Sequence, residues 1–219
     1  MKAKNPYIHA SIDEEDVTHV NLLIIGPPET PYADGFFHFE AFYPHDYPWH
    51  PPSVTLKTTG RGTVRFNPNL YANGKVCLSI LGTWEGPGWT SVQTMLSTFM
   101  SIQSLMNPAP YHNEPGHERE RCPGDAEKYS EYIKHETLRV AVCEMMEHPT
   151  WDNMEEFDEI MKNHFLKNYQ NYIDLATSKL PQDGSPLVDS LFPSNNNAKY
   201  NYQSILNRLK KIKEYIDED

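Results

Sequence analysis

Three side chains stand out for chemistry. Cys77 lies in Asn73-Gly74-Lys75-Val76-Cys77-Leu78-Ser79-Ile80, where Gly74 permits a turn and Lys75 puts a positive charge nearby. A thiolate is the nucleophile of cysteine chemistry, and a glycine-containing loop with a neighbouring cation favours forming one at an accessible surface. The apolar residues on both sides equally allow a buried structural thiol. Asn69 lies eight positions earlier, in Asn67-Pro68-Asn69. It either ties its loop backbone or donates its amide N–H to an oxyanion forming on a carbonyl under attack at Cys77. His112 is the third. Paired with Cys77 it would make the nucleophile and base of a thiol hydrolase; otherwise it is a loop histidine bonded to backbone. Cys143, in Val140-Ala141-Val142-Cys143, reads as a core thiol, and Cys122, before Pro123, as inert loop surface. His112, His117 and Cys122 are evenly spaced but match no zinc-ligand pattern, and Cys-x-x-Cys is absent, so no metal is expected.

The chain that must hold these groups has 219 residues, with 38% apolar and 12% aromatic side chains. That suits one domain, or one with an appendage, and argues against disorder. The net charge of −11 makes nucleic acid and anionic membrane poor partners. It is unevenly spread: residues 1–60 carry −5, residues 61–121 carry +1 and residues 122–219 carry −7. Cys77 is therefore spared the negative field that would disfavour a thiolate. No apolar run reaches the length of a membrane span. The acidic run Asp13-Glu14-Glu15-Asp16 leaves no room for a secretory signal. Three scattered cysteines point to a reducing compartment, the cytoplasm first and the nucleus second.

The positioning elements read as strands first and helices later, an α+β protein. Thr18 to Ile25 is β-branched and aliphatic and stops at Gly26-Pro27-Pro28. Phe36 to Tyr43 alternates, with Phe37, Phe39 and Ala41 on one face, and Ser53 to Thr58 alternates after a proline-studded loop. These three predict an antiparallel meander. Residues 60–89 hold six glycines, yet Val76, Leu78, Ile80, Leu81 and Trp84 favour an ordered loop pinned to the core. Thr90 and Gln93 have capping-box spacing, and Val92, Met95, Leu96, Phe99, Ile102, Leu105 and Met106 predict the buried stripe of the helix that follows. A second helix is predicted from about Ala126 to Met146, a third from Asp152, with Glu155 completing its cap, to about Ser178. After a loop over 181–200, a last helix carries Ile205, Leu206, Leu209, Ile212 and Ile216 on one face. There is no internal repeat.

In sequence order, Tyr47-Pro48-Trp49-His50-Pro51-Pro52, Asn67-Pro68-Asn69, Cys77-Leu78 and Gly82-Thr83-Trp84 resemble the ubiquitin-conjugating enzymes. That family has a Tyr-Pro-x-x-Pro-Pro turn, a His-Pro-Asn tripeptide eight residues before its catalytic cysteine, and a tryptophan shortly after it. His112-Asn113-Glu114-Pro115-Gly116 and the helical tail, with Lys134-His135-Glu136-Thr137, look closest to the Z type, so the likeness spans nearly the whole chain. It implies the UBC-like fold, a catalytic core over residues 1–147 and a helical extension over 148–219. It implies that Cys77 takes ubiquitin, or a ubiquitin-like protein, as a thioester from an activating enzyme and passes it to a substrate lysine, usually with a ubiquitin ligase. Asn69 would stabilise the oxyanion and brace its loop; Phe36, Pro51, Pro52 and Trp84 would be scaffold. The loops around Tyr47–His50 and Leu81–Gly88 would face the ligase. ATP is consumed by the activating partner, so this chain should need no cofactor.

Four positions depart from the family pattern. Asn67 replaces the histidine of the tripeptide, a structural position, which leaves Asn69 credible. Trp89-Thr90-Ser91 replaces Trp-Ser-Pro at the next helix start. His112 stands where many members place a gating aspartate. Only about fifteen residues precede the first predicted strand, too few for the family's amphipathic first helix, which implies a truncated chain or weakened charging. Two alternatives stay open beside the transferase: a non-catalytic binding module on the same scaffold, and the Cys77–His112 hydrolase, which lacks a third orienting group.

Overall fold

A computed structural model describes residues 5–12, 15–149, 155–193 and 197–218. Four antiparallel strands run in sheet order β1 (Ile8–Ile12), β2 (His19–Ile25), β3 (Phe36–Phe42) and β4 (Ser53–Leu56). The three predicted strands form the expected meander, with Ile24 opposite Phe37 and Ala41 opposite Val54. The sequence reading did not identify β1, which pairs Ile8 with Ile24 and Ile12 with Val20. Its residues are only partly covered, and it sits at the sheet edge, so it is held more by β2's hydrogen bonds than by an apolar pattern of its own. The first strand thus begins at Ile8, ahead of the predicted start at Thr18.

Both faces of the sheet are buried. Val20, Leu22, Ile24, Phe37, Phe39 and Ala41 face a first core closed by helices α1 (Met95–Ser104) and α2 (Asp125–Glu136). Helix α2 continues through a π-helical stretch, Thr137–Glu144, into the short α3 (Met145–Glu147). This part of the continuous helix is buried on two sides: Val140 and Ala141 belong to the first core, Leu138, Val142 and Cys143 to a second. It crosses the sheet at Gly35, where a Cβ would fall 2.7 Å from Thr137 Cγ2, so only glycine allows the approach.

The second core joins Leu23, Ile25 and Phe36 to α4 (Glu155–Ser178) and α5 (Tyr202–Glu218). The predicted start of α4 at Asp152 lies outside the described residues. Phe157, Met161, Phe165 and Tyr172 bury the α4 stripe, while Ile205, Leu209 and Ile212 bury that of α5. Polar ties add direction. Tyr172 donates to Asp34 O at 2.8 Å, His164 Nε2 meets Asp34 Oδ1 at 2.8 Å, and Arg208 grips Glu147 at 2.6–3.1 Å.

The first helix starts later than its sequence signal. Thr90 and Gln93 do bond as a pair, Thr90 N–H to Gln93 Oε1 at 2.9 Å, but α1 begins after Thr94, which forms its own reciprocal cap with Ser97. Val92 (84% exposed) and Leu96 (51%) therefore lie outside the core to which the periodicity assigned them, while Phe99, Ile102 and Met106 are inside. Residues 91–92 form a turn ahead of the Thr94 cap, which leaves Val92 off the helix, while Leu96 lies in the first helical turn on its exposed side.

Candidate active site

The long segment between β4 and α1 is ordered because it is pinned at intervals. Val64, Phe66, Leu70, Val76 and Leu81 are all buried in the first core. Backbone bridges link Leu70 to Val76 and Thr55 to Lys75, laying the Cys77 strand-like stretch beside β4. Gly74 makes the turn at φ +88°, and a Cβ there would sit 2.7 Å from Leu56 O.

Cys77 is held from both sides. Its N–H donates to Asn69 O and its carbonyl accepts from Asn69 Nδ2, each at 2.9 Å. The Thr83 hydroxyl donates to Val76 O at 2.7 Å and accepts from Leu78 N–H at 3.0 Å, bracketing the cysteine in sequence. This lock draws the residue inward: Cys77 is only 1% exposed, a correction to the expectation of an openly accessible sulfur. It nonetheless forms part of the wall of an open cleft of about 700 Å³, with Tyr71, Lys75, Gly82, Thr83, Trp84, Glu85 and Pro115. Cys143 lies in the second core, as expected, and burial pushes its thiol up to about 12. Cys122 is exposed.

Asn69 is itself 7% exposed, and its N–H donates to Asn67 Oδ1 at 2.9 Å. In this conformation its carboxamide braces the loop. Asn67, fully buried, is the hub of a polar network. Its Nδ2 donates to Tyr32 Oη (2.9 Å) and Leu105 O (2.8 Å), and its Oδ1 also accepts from Asn113 Nδ2 at 3.3 Å. Tyr32 Oη donates in turn to Phe66 O at 2.8 Å, and burial raises its phenol far above the usual range. A buried amide with every group partnered fixes the loop more firmly than an unpaired one would. The Asn67 departure from the family tripeptide thus occupies a structural position.

His112 lies on a short helical turn, Pro110–Asn113, and its exposed ring bonds through Nδ1 to His117 O at 2.6 Å. It does not line the Cys77 cleft; Pro115 of the same loop does. The structure therefore brings Asn69 to Cys77 and leaves His112 tied to its own loop. Asn113 and Pro115, missed as contributors, connect that loop to Asn67 and to the cleft. Thr83 was visible only as part of the Gly82-Thr83-Trp84 likeness. Arg65 carried no sequence signal, yet it donates to Asn67 O (3.3 Å) and Pro68 O (2.5 Å). Of the two loops expected to face a ligase, the one around Tyr47–His50 is tied to the residue just after Leu81–Gly88, Trp89 Nε1 donating to Pro48 O at 2.7 Å. Among the described residues no group of three His, Cys, Asp or Glu is placed to hold a metal, and no helix is long and apolar enough to cross a membrane.

Comparison with known proteins supplies the family. A family model described as "Ubiquitin-conjugating enzyme" matches residues 1–137. The chain is 48% identical over 206 residues to "Ubiquitin-conjugating enzyme E2 Z" of Danio rerio, covering 94% of this chain and 62% of that protein. It is 49% identical over 204 residues to the protein of the same name from Homo sapiens, covering 93% and 57%. "Probable ubiquitin-conjugating enzyme protein 17" of Caenorhabditis elegans is 41% identical over 191 residues, 80% of this chain and 26% of that one. The chain thus spans about three fifths of the length of the first two relatives.

Proposed function

The chain belongs to the ubiquitin-conjugating enzyme family, and from that premise we propose that Cys77 carries ubiquitin or a ubiquitin-like modifier as a thioester. The Cys77 thiolate attacks the modifier's C-terminal carbonyl, held as a thioester on an activating enzyme. The new C–S bond forms as the old one breaks, and the activating enzyme leaves as a thiolate. A substrate lysine, neutral and presented by a ligase, then attacks the same carbonyl. The Cys77–carbonyl bond breaks, the amine gives up a proton to solvent water, and the thiolate is restored. Thioesters lose much of the resonance that protects amides, so positioning and desolvation in the cleft do most of the work.

The observation that carries this reading is Cys77 in the wall of an open cleft with its main chain locked by Asn69. Asn69 serves in two ways: at rest it braces the loop, and in transfer its N–H turns from Cys77 O to the oxyanion. His112 is assigned to shaping the loop that ends at Pro115, not to proton transfer. Residues 1–147 act as the catalytic core and 148–219 as its support. The cytoplasm is the proposed compartment, with the nucleus second; no cofactor, nucleic acid or membrane takes part. Neither alternative gains from the geometry. His112 is bound away from the cleft, which disfavours the hydrolase, and a binding module needs no cysteine in its cleft wall.

Incubation with activating enzyme, ATP and ubiquitin, followed by intact mass measurement, tests the proposal. One added ubiquitin mass, removed by reductant, is expected; Cys77→Ser should give a reductant-resistant ester. An adduct on Cys122 or Cys143, or none with any activating enzyme, refutes it.

A further inference from the structure

The cleft has a support that the acyl-transfer chemistry does not account for. The Arg65 guanidinium is sandwiched between two rings, 3.8 Å from the centroid of Tyr71 and 3.6 Å from that of Phe192. Tyr71 lines the Cys77 cleft, whereas Phe192 lies 115 residues beyond Cys77, in the loop between α4 and α5. The edge of the guanidinium donates to Asn67 O and Pro68 O, immediately before Asn69. Its Nη2 is also 3.8 Å from Glu114 Oε2, next to Pro115 of the cleft wall. One planar cation thus touches two segments that reach the cleft, 67–71 and the loop of Glu114 and Pro115, and one that comes from the extension.

The Phe192 side is built to hold still. Asp189 Oδ1 accepts from the N–H groups of Leu191 (2.9 Å) and Phe192 (2.8 Å), closing a tight turn. Ser190 donates to Asp125 O at 2.7 Å, and Leu191 plugs into the first core. Cation–π attraction strengthens as water is excluded, and a planar fork stacked on both faces loses little freedom. Lysine would keep the charge and lose both the stack and the fork.

We infer that Arg65 is a positioning residue for the Cys77 centre and that Phe192 completes it, so that the loop between α4 and α5 sets the rate of acyl transfer. The inference rests on the transfer reading above. It adds a role for the extension: it holds the 65–71 segment, and through it Asn69 and Cys77, in reacting geometry. Misplacement by about 1 Å costs such a step up to roughly a hundredfold.

The test compares wild type with Phe192→Ala, Phe192→Leu, Phe192→Tyr, Arg65→Lys and the double variant Arg65→Lys/Phe192→Ala. Single-turnover discharge of preformed thioester to free lysine should slow about tenfold in Phe192→Ala and Phe192→Leu, roughly the loss of one well-made stacking contact. Phe192→Tyr should restore it, and the double variant should be no slower than Arg65→Lys alone. Wild-type discharge in Phe192→Leu, or effects that multiply in the double variant, overturns the inference. A second readout needs no ubiquitin: iodoacetamide labelling of Cys77 followed by mass. It should rise several-fold in Phe192→Leu as the clamp loosens, with Cys143 still protected to show an intact core. Unchanged labelling of Cys77 overturns the clamp. If wild type itself takes no ubiquitin, the transfer reading falls and the labelling arm decides the clamp separately.

Discussion

Replacing Asn69 by alanine separates the two jobs assigned to that carboxamide. As a brace it supplies one buried hydrogen bond, Nδ2 to Cys77 O at 2.9 Å. Its loss removes about 1 kcal/mol of net hydrogen bonding, with up to ~3 kcal/mol if the Cys77 carbonyl is left dry. For a chain of this size 1 kcal/mol lowers the melting temperature by about 2–4 °C. As an oxyanion donor it supplies about 2.7–4 kcal/mol to the transition state, a hundredfold to a thousandfold in rate. The two magnitudes fall on different measurements. Charging, in which a second enzyme supplies its own active site, should slow only as far as loop disorder spreads. Discharge to free lysine relies on this chain alone and should slow by about a hundredfold or more. The assay is a rapid-quench measurement of both half-reactions on the same protein, with thermal unfolding alongside. Equal slowing of charging and discharge, accompanied by the melting shift, would mean that Asn69 is a brace only and that the oxyanion reasoning is wrong.

Other perturbations follow from the same geometry. Gly74→Ala forces a left-handed residue and a Cβ 2.7 Å from Leu56 O, and should cost at least ~2 kcal/mol in urea unfolding while moving Cys77. His38 is buried in the sheet beside Asn21 Oδ1 (2.9 Å), and burial lowers its pKa to about 3. The folded state then stays neutral where the unfolded histidine takes a proton, so stability falls as pH drops below the unfolded value near 6.5. His38→Gln should flatten that slope, recovering about 2 kcal/mol of the loss between pH 7.5 and pH 5 in paired urea titrations. Glu136 is 2% exposed; burial opposes its charge, but His135 (2.8 Å) and Arg139 (2.5 Å) win and hold its carboxyl below the usual range. Glu136→Ala leaves Arg139 and His135 Nδ1 without this partner, His135 Nε2 keeping Asn201, and should cost about 3 kcal/mol by equilibrium unfolding, with Glu136→Gln recovering part of it.

The meander and most of the helix faces were legible along the chain, whereas Asn69 and Cys77 were paired only through the family likeness. Alternation of Phe37, Phe39 and Ala41, the i, i+4 spacing of Phe157, Met161 and Phe165, and the turn at Gly74 are properties of neighbours along the chain, and side-chain direction follows from backbone period alone. Whatever depends on an element's partners emerged only on packing. The edge strand Ile8–Ile12 exists because β2 offers its open hydrogen bonds. Val92 stays wet because the helix begins only after the cap at Thr94, and Leu96 because nothing among the described residues covers its side of the first helical turn. Arg65 meets Phe192 across 127 positions, and His112 turns to His117 O instead of toward the cysteine. Periodicity records which face of an element is apolar, but not what covers it or which distant ring a guanidinium will find. The Arg65 contact arises only when the loop between α4 and α5 packs against the first core.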